Sequence, residues 1–221
     1  QGANGQIIKT SNHVGTHIDG EIHFVGNGRT IGEVPLEEFC GEGVVVDISD
    51  AVSDYSLYSP KMLEDRADIK KGDILIINTG YHRYAWDQKE SDEVRYMVKH
   101  PGPDADFYKW ALKMKFKWIG VDCGSADHPM NTILRQWHPR LFQEAEAKLK
   151  KATGKAWDEY FPFEEYYQVM HLKMFPKGII HAENIGGDID KLKNKRTWIG
   201  LFPWRAIELE SCISRVVAFE F

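Results

Sequence analysis

Short runs of apolar residues recur along the chain and predict β-strands that are covered on both faces. Residues 43–48, 73–78 and 118–122 are rich in Val and Ile and are bounded by Gly or Asp, as expected of strands in the middle of a sheet. Residues 179–180 and the tail over 212–221 have a similar composition and predict further strands. Together the runs indicate a mixed β-sheet.

Segments with helical character lie between these runs. Residues 60–67 and 103–114 predict helices, and the apolar side chains of the second segment fall on one helical face. Strands and helices interleave through the whole length. We therefore predict a single α/β domain over residues 1–221, built from a mixed β-sheet with flanking helices.

The stretch over residues 141–157 has a different character. It is charged and helix-prone, it is interrupted by Gly154, and no Ser/Gly/Pro-rich composition marks it as a linker. We interpret it as a helical arm that projects from the domain. The pattern fits a solvated surface helix, and it also fits a lid or a contact between subunits.

Composition restricts the classes of partner. With 221 residues, 43% of them hydrophobic, the chain can bury a sizeable core. Its formal net charge of -5 without a basic block argues against nucleic acid. No apolar run of about 18 residues provides a membrane span. We therefore expect a small molecule or another protein chain as the partner.

The cysteines indicate a reducing compartment. Cys40, Cys123 and Cys212 lie far apart and form no C-x-x-C pair, so neither a disulfide framework nor a zinc ribbon is expected. Free thiols favour a cytoplasmic location. Gln1 is not an initiator methionine, so the sequence leaves open whether a targeting segment precedes it.

One segment concentrates the side chains that bind metal ions. Residues 13–24 contain three imidazoles and two carboxylates. Buried groups of these types need partners, so their crowding indicates a bound cation or a wet cleft. Imidazole and carboxylate ligands suit Zn²⁺, Mn²⁺ or Fe²⁺, and the absence of thiolates argues against a closed structural zinc site.

A straight strand could not bring these side chains to one ion. His13, His17 and Asp19 occupy odd positions and would share a face, but the first and last would lie roughly 20 Å apart at about 3.3 Å per residue. Gly15 and Gly20 permit the chain to bend. We therefore predict a curved loop on which the three side chains converge.

Residues 13–24 resemble the signature H-x-G-T-H-x-D-x-P-x-H-F of the cyclase family, which includes kynurenine formamidase (arylformamidase) and isatin hydrolase. Every fixed position matches except one, where Glu21 replaces the family's proline. We expect a different local turn there and a changed charge beside the metal. Residues 71–81 are similar to the family's G-D-x-x-L-x-x-T-G segment, residues 120–127 to its G-x-D-x-x-S-x-D segment, and residues 214–218 to its closing P-x-R strand.

The resemblance implies a cyclase-like fold of the swivelling β/β/α type and one or two Mn or Zn ions per chain. The expected ligands from the signature are His13, His17 and Asp19. Asp19 would also hold a second ion with His171 and Glu183, which have the family's spacing of twelve residues. His181 is an alternative late ligand. If both His171 and Glu183 bind, His181 becomes a candidate for substrate contact.

The resemblance makes His23 a proton-transfer group and not a ligand. An imidazole that titrates near neutral pH can take a proton from water and return it to a leaving nitrogen. If His23 proved to be a ligand, Glu21 would be the next candidate base. Asp122 and Ser125 follow a predicted strand, where loops often carry function, and are candidates for the substrate pocket. The remaining histidines are interpreted as surface or supporting groups: His82, His100, His128 and His138.

These features together predict a metal-dependent hydrolase. The expected reaction is cleavage of a carbon–nitrogen amide bond in a small cyclic or aryl amide, either isatin-like or N-formylkynurenine-like. Two alternatives remain open at this point: a lactone or ester hydrolase that uses the same site, and a catalytically idle metal-binding or assembly protein. The resemblance also implies a homodimer or homotetramer, and no nucleic-acid or membrane partner is expected.

Overall fold

A computed structural model describes residues 2–220, and most of the strands found there form a closed barrel in the order β1-β7-β6-β4-β2-β8-β9. The strands are β1 His17–Asp19, β2 Cys40–Asp47, β3 Leu57–Tyr58, β4 Ile74–Asn78, β5 Gly102–Pro103, β6 Trp118–Val121, β7 Ile180–Glu183, β8 Lys195–Pro203 and β9 Ser211–Phe219. β3 and β5 pair separately.

The barrel sheet is mixed, as the sequence predicted. The neighbours β2, β4, β6 and β7 run parallel, whereas β8, β9 and β1 pair antiparallel with their neighbours. The five predicted strands are all present. The predicted tail strand ends at Phe219, and its last predicted residue, Phe221, lies outside the described residues.

The helices lie between the strands along the chain. They are α1 Leu36–Phe39, α2 Pro60–Glu64, α3 Phe107–Met114, α4 Leu134–Trp137, α5 Pro139–Thr153, α6 Trp157–Tyr160, α7 Phe163–Tyr166 and α8 Val169–Met174. The helix predicted from residue 103 begins later, at Phe107, because Gly102–Pro103 pairs as β5 with β3. No helix in residues 2–220 has the length and apolar character needed to cross a membrane.

Alternate residues of the parallel strands fill two separate cores. Ile74 and Ile76 of β4 pack inside the barrel, whereas Leu75 and Ile77 pack against the helices. Both faces of these strands are therefore covered, which explains their continuous apolar runs. The helical core takes residues from α3, α5, α6, α7 and α8.

The charged helix α5 packs on the domain, which differs from the projecting arm that the sequence suggested. Ala145 and Leu149 are buried in the helical core. Lys148 Nζ donates hydrogen bonds to Ser53 Oγ at 2.8 Å and to the carbonyl oxygen of Asp54. The buried stripe is narrow because only these two side chains of α5 are fully buried, and the charged remainder concealed it in the sequence pattern.

The short strand β1 closes the barrel and positions the candidate site. It pairs with β7, where His17 lies opposite Glu183 and Asp19 lies opposite His181, and with β9 on its other side. Ile18 packs inside the barrel. Because successive side chains of a strand alternate between faces, His17 and Asp19 point outward, toward the helical layer.

Candidate metal centre

The segment that precedes β1 folds back on the strand at Gly15. Gly15 has a φ of +62°, in the left-handed region that glycine adopts readily. The turn brings His13 Nδ1 to 3.3 Å from His17 Nε2 and to 3.0 Å from Asp19 Oδ1. The structure thus brings together the three residues that the motif singled out, with a bend at the predicted glycine.

Gly20 serves a different purpose from Gly15. Its φ is −88°, which any residue can adopt, but a Cβ atom there would lie 3.0 Å from Ile31 Cδ1 and 3.1 Å from the carbonyl oxygen of Glu210. The Gly20 N–H donates to the same carbonyl at 2.7 Å. The absence of a side chain therefore permits close approach where β1 passes into the 3₁₀ turn Glu21–His23.

Helix α8 and strand β7 supply the remaining predicted ligand residues. His171 Nε2 lies 3.6 Å from Asp19 Oδ2 and 3.9 Å from Glu183 Oε1. Glu183 Oε2 lies 3.8 Å from His17 Nε2. The two carboxylates therefore stand between histidines from different elements, and all five residues form one cluster.

A cation fits this cluster because one of its oxygen atoms lacks a hydrogen-bond donor. Among the described residues no group donates a hydrogen bond to Asp19 Oδ1, although the residue is only 1% exposed. His13 Nδ1 and His17 Nε2 approach that oxygen to 3.0 and 3.4 Å without hydrogen-bond geometry. Buried carboxylate oxygens are normally satisfied, and a nitrogen and oxygen donor set of this kind satisfies Zn²⁺ or Mn²⁺.

The carboxylates also hold protons on the histidines of the cluster. The Asp19 carboxylate raises the pKa of His13 to about 9, against the effect of burial. Burial opposes ionisation of His171, but the carboxylates of Asp127 and Asp19 raise its pKa to about 10. Burial and the charge of Asp19 raise the pKa of Glu183 to about 7. The cluster therefore attracts positive charge, and a divalent ion bound there would displace protons.

Asp127 orients the His171 ring, a role that the sequence analysis missed. Asp127 Oδ2 lies 2.6 Å from His171 Nδ1, and Oδ1 accepts a hydrogen bond from Met170 N at 3.0 Å. A carboxylate on the far nitrogen of a ligand histidine fixes the tautomer and the ring direction. Asp127 closes the segment over residues 120–127 that resembles the family, and this was the signal that could have identified it.

Ser125 contacts a candidate ligand. Its hydroxyl donates to Glu183 Oε1 at 3.2 Å, and Ala126 N donates to the same oxygen at 2.8 Å. The structure places Ser125 where it holds Glu183 in position. Its predicted role in binding substrate stays a prediction.

Asp122 lies in a supporting position. It is fully buried, and its carboxylate accepts hydrogen bonds from the backbone and hydroxyl of Thr79 and contacts His82 Nδ1 at 2.9 Å. These contacts tie the loop after β4 to the end of β6. Asp122 therefore shapes a loop, and its predicted role in the substrate pocket stays a prediction.

The remaining predicted supporting histidines lie apart from the cluster. His100 and His128 are fully buried, and burial lowers their pKa values to about 4 and about 3. His138 is half-buried between α4 and α5. His100 and His128 are thus neutral core residues at pH 7.

His23 forms a pair with Glu210, which sequence reasoning did not identify. His23 Nδ1 lies 2.8 Å from Glu210 Oε2, and the His23 side chain is 28% exposed. Burial lowers the pKa of His23, which favours the neutral ring. Glu210 also lies 3.0 Å from His13 Nε2, so one carboxylate connects the proton-transfer candidate with a candidate ligand. No motif marks Glu210, which directly precedes β9.

Glu21 is paired with a cation instead of adding free charge beside the cluster. Its Oε1 lies 2.6 Å from Arg29 Nη2, and Arg29 Nη1 lies 2.8 Å from Glu38 Oε1. The carboxylates of Glu38 and Glu21 raise the pKa of Arg29. The charge of Glu21, at the family's proline position, is therefore neutralised by Arg29 and not by the candidate metal cluster.

His181 is buried in the cluster and faces the same side of β7 as Glu183. Its ring centroid lies 5.1 Å from that of His171 and 4.7 Å from that of Phe175. The residue is fully buried, and its predicted contact with substrate stays a prediction.

Comparison with known sequences finds relatives of part of the chain. It is 26% identical to a kynurenine formamidase of Bacillus cytotoxicus over 136 residues, which are 62% of this chain and 58% of that protein. A 40-residue segment is 48% identical to an uncharacterized protein of Haemophilus influenzae and covers 18% of this chain and 28% of that protein. The chain thus spans less than two thirds of the length of these curated relatives.

Solved structures share the fold over nearly the whole chain. An isatin hydrolase bound to the product analogue thioisatinate matches with a TM-score of 0.70 at 16% identity, covering 95% of this chain and 72% of that one. Isatin hydrolase A from Labrenzia aggregata, bound to benzyl benzoate, gives 0.69 at 18% identity, with 94% and 73% covered. A potential metal-dependent hydrolase with cyclase activity gives 0.64 at 17% identity, with 95% and 80% covered.

The family assignment rests on the amino-terminal part of the chain. The family model Cyclase, described as "Putative cyclase", matches residues 3–128, which include the signature, the β4 segment and the loop that ends with Asp127 and His128. This match covers more than half of the chain. The chain belongs to the Cyclase family.

Proposed function

We propose that this protein is a metal-dependent hydrolase that cleaves the carbon–nitrogen bond of a small cyclic or aryl amide. The observation that carries the proposal is the convergence of imidazoles and carboxylates on the unsatisfied, buried Oδ1 atom of Asp19. The cluster lies beside a histidine–glutamate pair, His23 and Glu210, that can transfer protons.

The cluster offers ligands for one or two Mn²⁺ or Zn²⁺ ions. A first ion would be held by His13, His17 and Asp19, and a second by Asp19 with His171 and Glu183. Bound divalent ions lower the pKa of water and polarise a carbonyl oxygen, which suits amide hydrolysis.

His23 is the candidate acid and base. Glu210 occupies Nδ1 at 2.8 Å, so Nε2 is the atom that exchanges a proton with water and with the leaving nitrogen. Because burial lowers the pKa of His23, the ring begins neutral and can accept a proton. The Glu210 carboxylate then stabilises the imidazolium until the proton passes to the leaving group.

The relatives and an aromatic wall support the substrate class. The similar proteins include a kynurenine formamidase and isatin hydrolases, so an aryl formamide and a fused lactam are the first compounds to test. The ring of Phe24 lies 4.8 Å from that of His171 and 6.3 Å from that of Phe175. Phe175 is fully buried, so the aromatic wall beside the cluster is the half-buried ring of Phe24, which suits a flat aromatic substrate.

Hydrolysis assays with matched variants test the proposal. Protein purified without chelators is assayed for metal content and for hydrolysis of N-formylkynurenine, of isatin, and of a lactone and an ester of similar size. We expect Asp19→Asn to lose metal and activity together. We expect His23→Ala to retain metal and fold while turnover falls roughly 10²–10⁴-fold.

Three outcomes would contradict the proposal. A chain that retains no metal would exclude the metal-dependent mechanism. Turnover of esters without turnover of amides would assign the site to ester or lactone hydrolysis. Retained metal without turnover of any compound would favour a catalytically idle metal-binding protein.

His82→Ala, which lies outside the cluster, controls for nonspecific effects of removing an imidazole.

A further inference from the structure

His181 has two buried nitrogen atoms with nothing to bind. Among the side chains of residues 2–220, the buried atoms without a hydrogen-bond partner are Asp19 Oδ1, His100 Nε2 and both ring nitrogens of His181. Burying an imidazole without a partner is unfavourable, so such a group requires an explanation. Two of these three residues, Asp19 and His181, lie in the metal cluster.

Strand geometry places the side chain of His181 beside the residues proposed to hold the second ion. It lies two residues before Glu183 on β7, so both side chains leave the same face. Across the strand pair it lies directly opposite Asp19. One donor atom each of His171, His181 and Glu183 can be chosen so that all three lie within 4.8 Å of one another. Two ligands about 2.0–2.2 Å from a shared ion are at most about 4.4 Å apart, so a small inward movement of the side chains would bring all three donor atoms onto one ion.

Neighbouring groups offer His181 no alternative partner. The aromatic ring of Phe175 covers it at a centroid separation of 4.7 Å and can neither donate nor accept a conventional hydrogen bond. The nearby His171 already uses Nδ1 for Asp127. A cation bound by one ring nitrogen of His181 would give that nitrogen a partner.

We propose that His181 is a fourth protein ligand of the second ion, together with Asp19, His171 and Glu183. This inference rests on the proposed metal-dependent function and adds a residue to its site. Four protein ligands would fill a tetrahedral ion and leave no open position for substrate. The second ion therefore anchors α8 and β7 to β1, and the ion held by His13 and His17 is the one open to substrate.

Cobalt binding tests this assignment independently of activity. Metal-free protein is titrated with Co²⁺ by calorimetry, and the paramagnetically shifted ring N–H signals of bound histidines are counted by NMR. We expect two Co²⁺ ions per wild-type chain. His181→Leu should weaken the second binding event by at least roughly 10–100-fold, the loss typical of removing even a supporting group, and should remove one shifted signal.

His100→Leu is the matched control. His100 is also fully buried and also has an unpartnered ring nitrogen, but it belongs to none of the candidate metal groups in residues 2–220. It should leave both binding events and all shifted signals unchanged. If His181→Leu does not fold, His181→Gln, which keeps a polar side chain of similar length, takes its place.

The outcomes separate this inference from the proposed function. Two binding events of unchanged affinity and an unchanged signal count in the His181 variant would overturn the ligand assignment and leave the hydrolase intact. A single wild-type binding event that the His181 variant does not alter would do the same. A wild-type chain that binds no Co²⁺ would overturn both.

Discussion

The Oε2 atom of Glu210 lies 2.8 Å from the Nδ1 atom of His23, which in the proposed mechanism leaves Nε2 as the nitrogen that exchanges protons. Glu210→Gln keeps the shape but removes the charge that supports the protonated ring. We expect turnover at saturating metal to fall roughly 10–100-fold. Metal affinity should fall as well, because Glu210 also contacts the candidate ligand His13 at 3.0 Å. Because the lost carboxylate no longer stabilises the imidazolium, the pKa of His23 should fall further.

A pH profile of kcat/KM measures this effect. The limb that reports protonation of the base should move to lower pH in Glu210→Gln. Glu208→Gln, a change at an exposed neighbour, should leave both the rate and the profile unchanged. An unaltered profile in Glu210→Gln would show that the contact does not tune His23.

Asp127→Asn should weaken metal binding without removing a ligand. The carboxylate contacts His171 Nδ1 at 2.6 Å and holds Nε2 toward the cluster. We expect an affinity loss of roughly 10–100-fold for Zn²⁺ or Mn²⁺, measured by calorimetry. Asp106→Asn, at the exposed residue directly before α3, is the control. Equal affinities for the two variants would rule out the orienting role.

Glu21→Gln should lower the stability of the fold and leave metal binding unchanged. The Glu21 side chain is 13% exposed and contacts Arg29 at 2.6 Å, so the change weakens a partly buried charged pair. We expect a loss of about 1–3 kcal/mol in the free energy of unfolding, measured with urea. Metal content should equal that of the wild type. A large loss of bound metal would place the Glu21 charge in the site after all.

Buried neutral histidines should destabilise the fold in mild acid. Burial lowers the folded-state pKa of His100 to about 4, against 6.5 for the free group. Below pH 6.5 the unfolded chain takes up a proton that the folded chain excludes. The contribution of neutral His100 to the free energy of unfolding is therefore complete above about pH 6.5 and is lost as the pH falls toward 4. Urea midpoints should decline less over this range in His100→Leu than in the wild type, both free of metal.

Exposed apolar side chains on the outer faces of β8 and β9 predict that the protein associates with itself. Trp198 pairs with Phe219 there, and their exposed fractions are 36% and 38%, with Val217 at 38%. Neighbouring exposed apolar side chains of this size commonly mark an interface. We expect a homodimer or homotetramer in sedimentation equilibrium and a shift toward monomer in Val217→Asp. A wild-type monomer of 25.4 kDa at micromolar concentration would refute this.

The sequence predicted most clearly the strands whose two faces are both covered, and it also predicted β9, which is partly exposed. β2, β4 and β6 are continuous apolar runs because a core lies on each side of them. β8 was missed because it begins with three polar residues, from Lys195 to Thr197, that are not buried, and β1 because three residues are too few for a pattern. The closure of the barrel depends on contacts of β1 with β7 and β9 that no local pattern contains.

The sequence also predicted only some of the residues of the candidate site. The motif and the spacing singled out His13, His17, Asp19, His171, Glu183 and His23, and the structure brings them together. Asp127 and Glu210 act through partners far away in sequence. No motif marks Glu210, so residue type and spacing could not indicate it. Asp127 ends a segment that resembles the family, but its contact with His171 is defined by the fold.

The position of β1 between β7 and β9 also orders the assembly of the site in time. A chain made from its amino end exposes His17 and Asp19 long before β9 leaves the ribosome, and until then β1 lacks a neighbour on one side. Pairing over so great a sequence separation is intrinsically slow. A partly synthesised chain therefore presents these side chains apart from one another, and the candidate ligand cluster is complete only once the barrel has closed.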